Sequence, residues 1–218
     1  MLRIVFVESS LETVPKSIAK HPAILSDARR RKKKPTEMIL DDSRHHTAMK
    51  DLENREKRGR PDIIHQCLLL ALDSPINDLE VYVHTINDVM IWINRKTRLP
   101  RNYNRFIGLM EDLFKKREIK ADGEVLLKIV DLSLEDVLRD FRVVVMSEKG
   151  ERREVKLEGC AVCIGAFPHG DFDEKTVEVF RKVDAEFVSV ADKPVTALYT
   201  TCWVVGHVGV KALNPLRD

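Results

Sequence analysis

The chain has 218 residues, 44% of them apolar, which is enough for one sizeable core and excludes wholesale disorder. Charged residues make up 33% of the chain but the net charge is only +2, so any basic surface must be local. No apolar run approaches the roughly 20 residues of a membrane-spanning helix, and the N-terminus enters a strand pattern rather than a signal peptide. We therefore expect a soluble, cytoplasmic protein.

The cysteines and histidines do not form a pattern typical of a disulfide scaffold or a metal site. Cys160 and Cys163 form a Cys-x-x-Cys pair, but their odd spacing in a strand places the two thiols on opposite faces. We interpret them as ordinary buried thiols. His45 and His46 lie in a charged region without partner ligands, so we expect them to be solvated and predict no metal site.

The N-terminal region predicts short elements. Residues 2–7 alternate between apolar and other side chains and predict a first strand. A short helix is expected to begin at Val14 and to stop before Pro22, because proline ends a helix. Residues 38–41 indicate a short strand, and the charged segment 42–57 is expected to begin with a helical turn.

Six consecutive cations, residues 29–34, precede Pro35. Such a run is typical of a solvated, mobile loop, but it also fits an arm that binds phosphates. The sequence leaves both interpretations open.

The middle of the chain alternates helical and strand patterns. Pro61 at a first-turn position favours a helix that starts at Arg60, and Pro75 forbids its continuation. The further predicted elements are strands 79–85 and 89–93, a helix from 106 to 114, strand 125–130, a capped helix from Ser133, strand 141–146 and a turn at 148–150.

Two apolar runs near the C-terminus each end in a loop rich in small and turn-forming residues. Strand 161–164 leads into 165–171, and strand 186–190 leads into 191–194, with helical spacing between them at 176–183. This pattern indicates a parallel β-α-β unit. Ligands of open α/β sheets bind at the carboxyl ends of such strands. A last helix is predicted over 196–205.

Four motifs in this order carry a family resemblance: GRPDIIHQCLLLALDSP (59–75), RLPRNYNRFIGLMEDLF (98–114), IGAFPHGDF (164–172) and VSVADKPVTA (188–197). Together they closely resemble the ribosome-biogenesis RNA methyltransferases of the SPOUT class, the nucleolar essential protein family. That family methylates N1 of a pseudouridine in small-subunit rRNA. The resemblance covers nearly the whole chain, and its short length is similar to that of archaeal members.

The resemblance implies an α/β fold with an open, mostly parallel sheet, a C-terminal deep trefoil knot and an added subdomain. Residues 1–218 would form one domain, with an RNA-binding elaboration within about 29–120 and a donor-binding knot at about 141–210. The implied cofactor is S-adenosylmethionine. The implied partners are small-subunit rRNA, a second copy of the chain in a homodimer, and other ribosome assembly factors.

The donor site is expected in the two C-terminal loops. Gly165 and Gly170 permit close backbone approach to a ligand. No Gly-x-Gly-x-x-Gly or Walker motif offers an alternative nucleotide site. The expected donor-binding residues, with apolar side chains to wall an adenine and backbone groups to bond its edge, are Gly165, Ala166, Phe167, Gly170, Val190, Ala191, Asp192, Lys193, Pro194, Val195 and Leu198.

The RNA side is expected to depend on arginines. Arg98, Arg101 and Arg105 are spaced three and four apart and would share one face of a helix or its entry turn. Arg60 begins another helix, and Asp62 is placed to hold its guanidinium. The resemblance assigns these arginines to rRNA contacts. Tyr103 is expected either to stack on a splayed base or to pack at the helix start.

The sequence offers no clear general base for removing the N1 proton. Asp73 is the candidate, although it also suits a structural role in the Asp-Ser-Pro turn, and proximity alone supplies several kcal/mol. Two other functions remain open. One is a non-catalytic RNA-binding assembly factor, and the other is a SPOUT methyltransferase that acts on tRNA.

Overall fold

The strands lie in a single sheet that organises the rest of the chain. The computed structural model describes residues 1–213, with side chains through residue 209. Within these residues eight strands follow the order β4-β5-β3-β2-β1-β7-β6-β8. Their bounds are β1 Leu2–Ser9, β2 Leu79–Thr85, β3 Met90–Ile93, β4 Glu118–Ala121, β5 Glu124–Val130, β6 Arg142–Glu151, β7 Cys160–Gly165 and β8 Glu186–Val188.

The sheet is parallel on the side that carries the C-terminal strands. β1 pairs with β2 and β7, and β6 pairs with β7 and β8, all in parallel. The remaining pairs, β2–β3, β3–β5 and β4–β5, are antiparallel. The expected mostly parallel α/β sheet is therefore confirmed, with an unpredicted hairpin strand, β4, at one edge. The trefoil knot stays a prediction.

One detail of the predicted β-α-β unit is wrong. β7 and β8 are not neighbours, because β6 lies between them and pairs with both. Val144 of β6 is opposite Val162 of β7 and Glu186 of β8. The regular pairing of β6 is interrupted after Met146, at the edge of the sheet where β7 and β8 end, so three segments rather than two converge there.

Helices cover both faces of the sheet. Leu2, Ile4 and Phe6 of β1 enter one core, and Val5 and Val7 enter the other, as the alternation of a strand requires. Cys160 and Cys163 also fall in different cores, which confirms their predicted placement. The helices are α1 Pro22–Arg31, α2 Asp42–His45, α3 Pro61–Asp73, α4 Tyr103–Lys116, α5 Leu134–Leu138, α6 Glu174–Lys182 and α7 Ala197–Leu213.

The helix predicted from Val14 is wrong. Residues 16–20 form turns, and α1 begins at Pro22 instead of ending before it. Proline suits the first turn, where its missing N–H needs no partner. The His21 side chain caps this end by accepting the N–H of Ala23 at 3.2 Å.

Residues 13–58 form a layer with a small core of its own, which includes Val14, Ile24 and Met38. The strand predicted over 38–41 is reduced to a single antiparallel bridge, Thr13 to Ile39. The predicted helical turn after Asp41 is present as α2.

His45 is not solvated, as was expected, but fully buried. Its Nδ1 accepts the N–H of Asp41 at 3.1 Å, and Nε2 lies 3.3 Å from Asp27 Oδ2. These two partners replace the water that the prediction assumed. His46, by contrast, is exposed as expected.

The predicted turn at 148–150 is also wrong, because β6 continues through Glu151 with an irregular register. A Cβ atom on Gly150 would lie 2.4 Å from the backbone N of Val188. Glycine is required there because the two backbones approach so closely.

Candidate active site

A cavity of about 650 Å³ opens where β7 and β8 end, beside residues 146–148 of β6. It has the size of a site for a small organic ligand. Residues of β6, the ends of β7 and β8 with the loops that follow them, and the first turns of α3 and α7 form its walls. The lining residues are 146–148 within β6, 164–165 and 167–172 at and after the end of β7, 188–190 and 193–198 at and after the end of β8, Thr200 of α7, and Arg60, Asp62, Ile63 and Gln66 at α3.

Most of the expected donor-binding residues line this cavity; Ala166, Ala191 and Asp192 do not. Ala166 is fully buried, with its N–H bonded to Val7 O and its carbonyl accepting from the N–H of Ser10. The Ala191 carbonyl accepts from the Ser189 hydroxyl, and Asp192 pairs with Arg152. Those that do line it are Gly165, Phe167, Gly170, Val190, Lys193, Pro194, Val195 and Leu198.

Glycine is needed at positions 165 and 170 of the first loop for different structural reasons. A Cβ atom on Gly165 would lie 3.0 Å from Cε1 of Phe167 and 3.3 Å from Phe172, beside the cavity. Gly170 has φ of 97°, a left-handed conformation that favours glycine. Gly165 therefore lets the two rings pack closely against the backbone, while Gly170 permits the turn.

The second loop presents backbone donors. In the part of the chain that the structure describes, the N–H groups of residues 190–193 and 195 have no protein acceptor. Ser189 at the start of this loop is held by its N–H bond to Glu151 O at 3.0 Å. A fixed strand end followed by free N–H groups suits a ligand that carries hydrogen-bond acceptors.

Arg60 and Asp62 line the same cavity. The guanidinium is held by two parallel bonds, Nε to Oδ1 and Nη2 to Oδ2, each 2.8 Å long. The predicted pairing is confirmed. The bonds to Asp62 outweigh partial burial and raise the pKa of Arg60. The pair therefore presents an oriented guanidinium, its charge balanced by Asp62, beside the donor loops.

The other predicted arginines lie at the entry of α4. Arg98, Arg101 and Arg105 are all exposed. Arg101 Nη2 bonds Asp73 Oδ2 at 2.7 Å. Asp73 is therefore placed beside this arginine group at the C-terminal end of α3, and it does not line the cavity.

Tyr103 is half-buried and packs against the main core at the first turn of α4. Its hydroxyl donates to Asp41 Oδ2 at 2.8 Å. Burial and this bond raise the pKa of Tyr103. Tyr103 therefore packs at the start of the helix, as one of the two interpretations expected. Stacking on a splayed base stays a prediction.

The run of six cations is divided by the structure. Arg29, Arg30 and Arg31 form the last turn of α1, so of the two interpretations the mobile loop is wrong for these three residues, and the phosphate-binding arm stays a prediction. Arg31 and Lys33 point inward and bond the carboxylate of Glu111, whose side chain is 2% exposed. The outward-facing members are Arg29, Arg30, Lys32 and Lys34.

Several cavity residues were not predicted. Ser147 and Glu148 follow a predicted strand and could have been found by extending the strand-end rule to β6. His169 and Asp171 lie within a predicted loop but carried no special spacing. Gln66 is one turn from Asp62 on α3, and only the tertiary packing brings it to the donor loops.

The described residues lack the patterns of metal sites and of membrane-spanning helices. Among the described residues, no three His, Cys, Asp or Glu side chains come together as a metal site. None of the helices seen in residues 1–213 combines the length and apolar character that a bilayer crossing requires.

Comparison with known proteins places this geometry in a family. The profile of the EMG1/NEP1 methyltransferase family matches residues 4–208. A protein of Archaeoglobus fulgidus named ribosomal RNA small subunit methyltransferase Nep1 is 55% identical over 92% of both chains. The Nep1 protein of Pyrococcus furiosus is 48% identical over 80% of this chain and 84% of its own. The Nep1 protein of Saccharolobus solfataricus is 46% identical over 84% of this chain and 86% of its own.

A solved structure agrees with the sequence comparison. The crystal structure of Archaeoglobus fulgidus Nep1 bound to S-adenosylhomocysteine superposes with a TM-score of 0.91 at 51% sequence identity. The match covers 99% of this chain and 100% of that one. The chain therefore belongs to the EMG1/NEP1 methyltransferase family.

Proposed function

We propose that this protein transfers a methyl group from S-adenosylmethionine to N1 of a pseudouridine in small-subunit rRNA. One observation carries the proposal: the donor-type loops and the Arg60–Asp62 pair line a single cavity. The relatives' names support a methyltransferase acting on small-subunit rRNA, and the bound S-adenosylhomocysteine of the Archaeoglobus protein supports the donor.

The cavity fits the donor by its chemistry. Phe167, Val190 and Leu198 supply apolar walls for an adenine, and the free N–H groups of the cavity-lining residues 190, 193 and 195 supply donors for its polar edge. Gly165 lets the rings of Phe167 and Phe172 pack closely against the backbone beside this cavity. When bound, S-adenosylmethionine supplies an electrophilic methyl group on a sulfonium.

The proposed RNA surface runs from the cavity along α4. Arg60 lies at the cavity, and Arg98, Arg101 and Arg105 lie at the start of α4. Through Glu111, α4 also holds the end of α1, whose exposed cations extend the positive surface. Residues 13–58 contain 13 Lys and Arg against seven Asp and Glu, whereas the whole chain has 37 against 35. Such a local excess favours a polyanionic partner.

Methyl transfer to pseudouridine N1 breaks the bond between the methyl group and the sulfonium, releases S-adenosylhomocysteine, and requires loss of the weakly acidic N1 proton, which passes to water. The Arg60 guanidinium, fixed by Asp62, is placed to stabilise the negative charge that develops on the base. For Asp73, which bonds Arg101 outside the cavity, we propose a role in orienting that arginine toward RNA. This position outside the cavity favours the orienting role over removal of the N1 proton by Asp73.

We also propose a homodimer formed through the start of α7. Leu198 and Tyr199 are among the few exposed large apolar residues of the described chain. Cys202 and Gly206 continue the exposed face at helical spacing. Tyr199→Arg is expected to lower the mass measured by light scattering to that of one chain, and an unchanged mass would contradict this interface.

A pair of transcripts tests the proposed reaction. Small-subunit rRNA transcribed with uridine or with pseudouridine throughout is incubated with the protein and a radiolabelled methyl donor. Only pseudouridine has a free N1–H, since the ribose occupies N1 of uridine. Transfer is expected to the pseudouridine transcript alone, and equal transfer to both, or to neither, would refute the proposal.

A further inference from the structure

A buried lysine lies beneath the first donor loop. Lys57 ends the short 3-10 turn Arg55–Lys57, and its side chain is only 5% exposed. Its Nζ donates to Glu8 Oε2 at 2.8 Å and to Asp173 Oδ1 at 2.6 Å. The same ammonium lies 4.9 Å from the ring centroid of Phe167. Lys57 therefore contacts both ends of the loop 167–173.

Glu8 completes this cluster. It lies near the end of β1, is 2% exposed, and has a positive φ of 48°. Its Oε1 accepts the N–H of Asp173 at 2.8 Å, and its own N–H bonds His84 Nδ1 at 3.3 Å. The two oxygens of Glu8 thus hold the end of the donor loop, one directly and one through Lys57.

The cluster is costly by itself. A left-handed conformation at a residue other than glycine is unfavourable, and burying charges costs desolvation energy that pairing only partly offsets. Burial would lower the pKa of Lys57, but the bonds to Asp173 and Glu8 outweigh it and raise that pKa, so the ammonium stays charged at neutral pH. Such features concentrate at functional sites.

The other side of Lys57 leads directly to the RNA-facing wall. The next residue, Arg58, bonds both carboxylate oxygens of Glu12 at 2.7 and 2.6 Å. The N–H of Arg60 donates to Ser10 Oγ at 2.7 Å. The segment 57–60 is therefore fixed to the end of β1, and Arg60 extends from it into the cavity.

We propose that Lys57 is a positioning residue that joins the donor loop 167–173 to the segment carrying Arg60, so that methyl-donor binding and RNA binding strengthen each other. The inference rests on the proposed function only in taking RNA as the second ligand. Coupling between two sites is reciprocal, so each ligand raises the affinity of the other by the same factor.

The test uses calorimetry with S-adenosylhomocysteine, with and without the small-subunit rRNA transcript. In the wild-type protein, RNA is expected to raise the affinity for S-adenosylhomocysteine by at least about fivefold, which is the lower end of typical coupling between two sites. Lys57→Met and Asp173→Asn are each expected to lower the affinity for S-adenosylhomocysteine about tenfold or more, because each variant loses a charged hydrogen bond. Both should also bring the coupling factor close to one.

Two controls separate positioning from general stability. Lys175→Met removes an exposed lysine of α6 that pairs with Asp88, and it is expected to keep wild-type affinity and coupling. Lys57→Arg keeps the charge and is expected to restore part of the coupling. If Lys57→Met does not fold, Asp173→Asn decides, since it retains the Lys57–Glu8 pair and the backbone bond to Glu8.

Absence of coupling in the wild type would overturn the proposal. The proposal would also be overturned if a folded Asp173→Asn variant had the same ligand affinity and the same coupling factor as Lys175→Met. Failure of the pseudouridine reaction would be visible separately, because this assay measures binding and not methyl transfer.

Discussion

At the scale of single residues, the cavity depends on places where a side chain is missing. Gly165 was predicted from its position after a strand, and the structure gives the physical reason, because its Cα faces the rings of Phe167 and Phe172. The sequence could not show which aromatic rings would be neighbours, since that depends on how the loop folds back over β7.

Gly165→Val is expected to weaken S-adenosylhomocysteine binding about 10- to 100-fold, because the added atoms cost about 1–3 kcal/mol of overpacking beside the donor. Calorimetry measures this affinity. Gly108→Ala is the matched control, since nothing lies within 4 Å of a Cβ atom there. Equal affinity for the two variants would show that Gly165 does not face the donor.

The cations of α1 give a second prediction at this scale. Removing two exposed charges with Arg29→Gln and Lys32→Gln is expected to weaken RNA binding. It should also lower the slope of log affinity against log salt by roughly 0.7–0.9 for each lost phosphate contact.

The matched control is Lys96→Gln with Lys120→Gln, which removes the same charge from exposed positions near the β4–β5 hairpin. If both double variants change the salt slope equally, the effect is one of net charge and α1 has no RNA contact of its own.

At the scale of elements, the close contact of β6 with β8 controls the cavity edge. Gly150→Ala would place a Cβ atom 2.4 Å from Val188 N and 2.6 Å from Phe187 C, and neither backbone atom can move cheaply. We expect unfolding by denaturant to show a loss of about 1–3 kcal/mol. A variant as stable as Gly108→Ala would mean that the two strands separate without cost.

The layer formed by α1 and α2 is expected to weaken in acid. Burial lowers the pKa of His45, although Asp27 and Asp41 oppose this effect. A folded-state pKa below the unfolded value of about 6.5 means that the unfolded chain binds more protons, so stability is complete above this pH and is lost as the pH falls below it.

The free energy of unfolding is therefore expected to decrease between pH 7.5 and 5.5, with a limiting slope of about 1.4 kcal/mol per pH unit for one group. His45→Asn should show a smaller decrease than the wild type. Because His84 is unchanged in both proteins, its contribution cancels in the comparison. Parallel pH profiles would exclude His45 as the titrating group.

The elements differ in how far the sequence determines them. β1, β7, α3 and α4 were predicted because their apolar periodicity and their prolines act locally. α1 was missed because proline both starts and stops helices. His45 was misjudged because its partner Asp27 lies 18 residues away and is brought close only by packing of the layer.

At the scale of the whole molecule, the site depends on strand order. The sequence predicted two of the three segments that form the site, yet β6 enters between β7 and β8, and this arrangement is set by pairing across the sheet. It brings Ser147 and Glu148 into the cavity and places α3 against the donor loops. A donor pocket and an RNA-facing arginine thus become one site only in the complete fold.

The most direct test of this account is to identify the methylated nucleoside. After reaction of the pseudouridine-containing transcript with S-adenosylmethionine, the RNA is digested to nucleosides and analysed by mass spectrometry against synthetic standards. We predict a single product, N1-methylpseudouridine, whose yield at a donor concentration below saturation is reduced in Gly165→Val and kept in Gly108→Ala. A methyl group on another base, on N3 or on a ribose, or no methylated nucleoside at all, would contradict the proposed reaction.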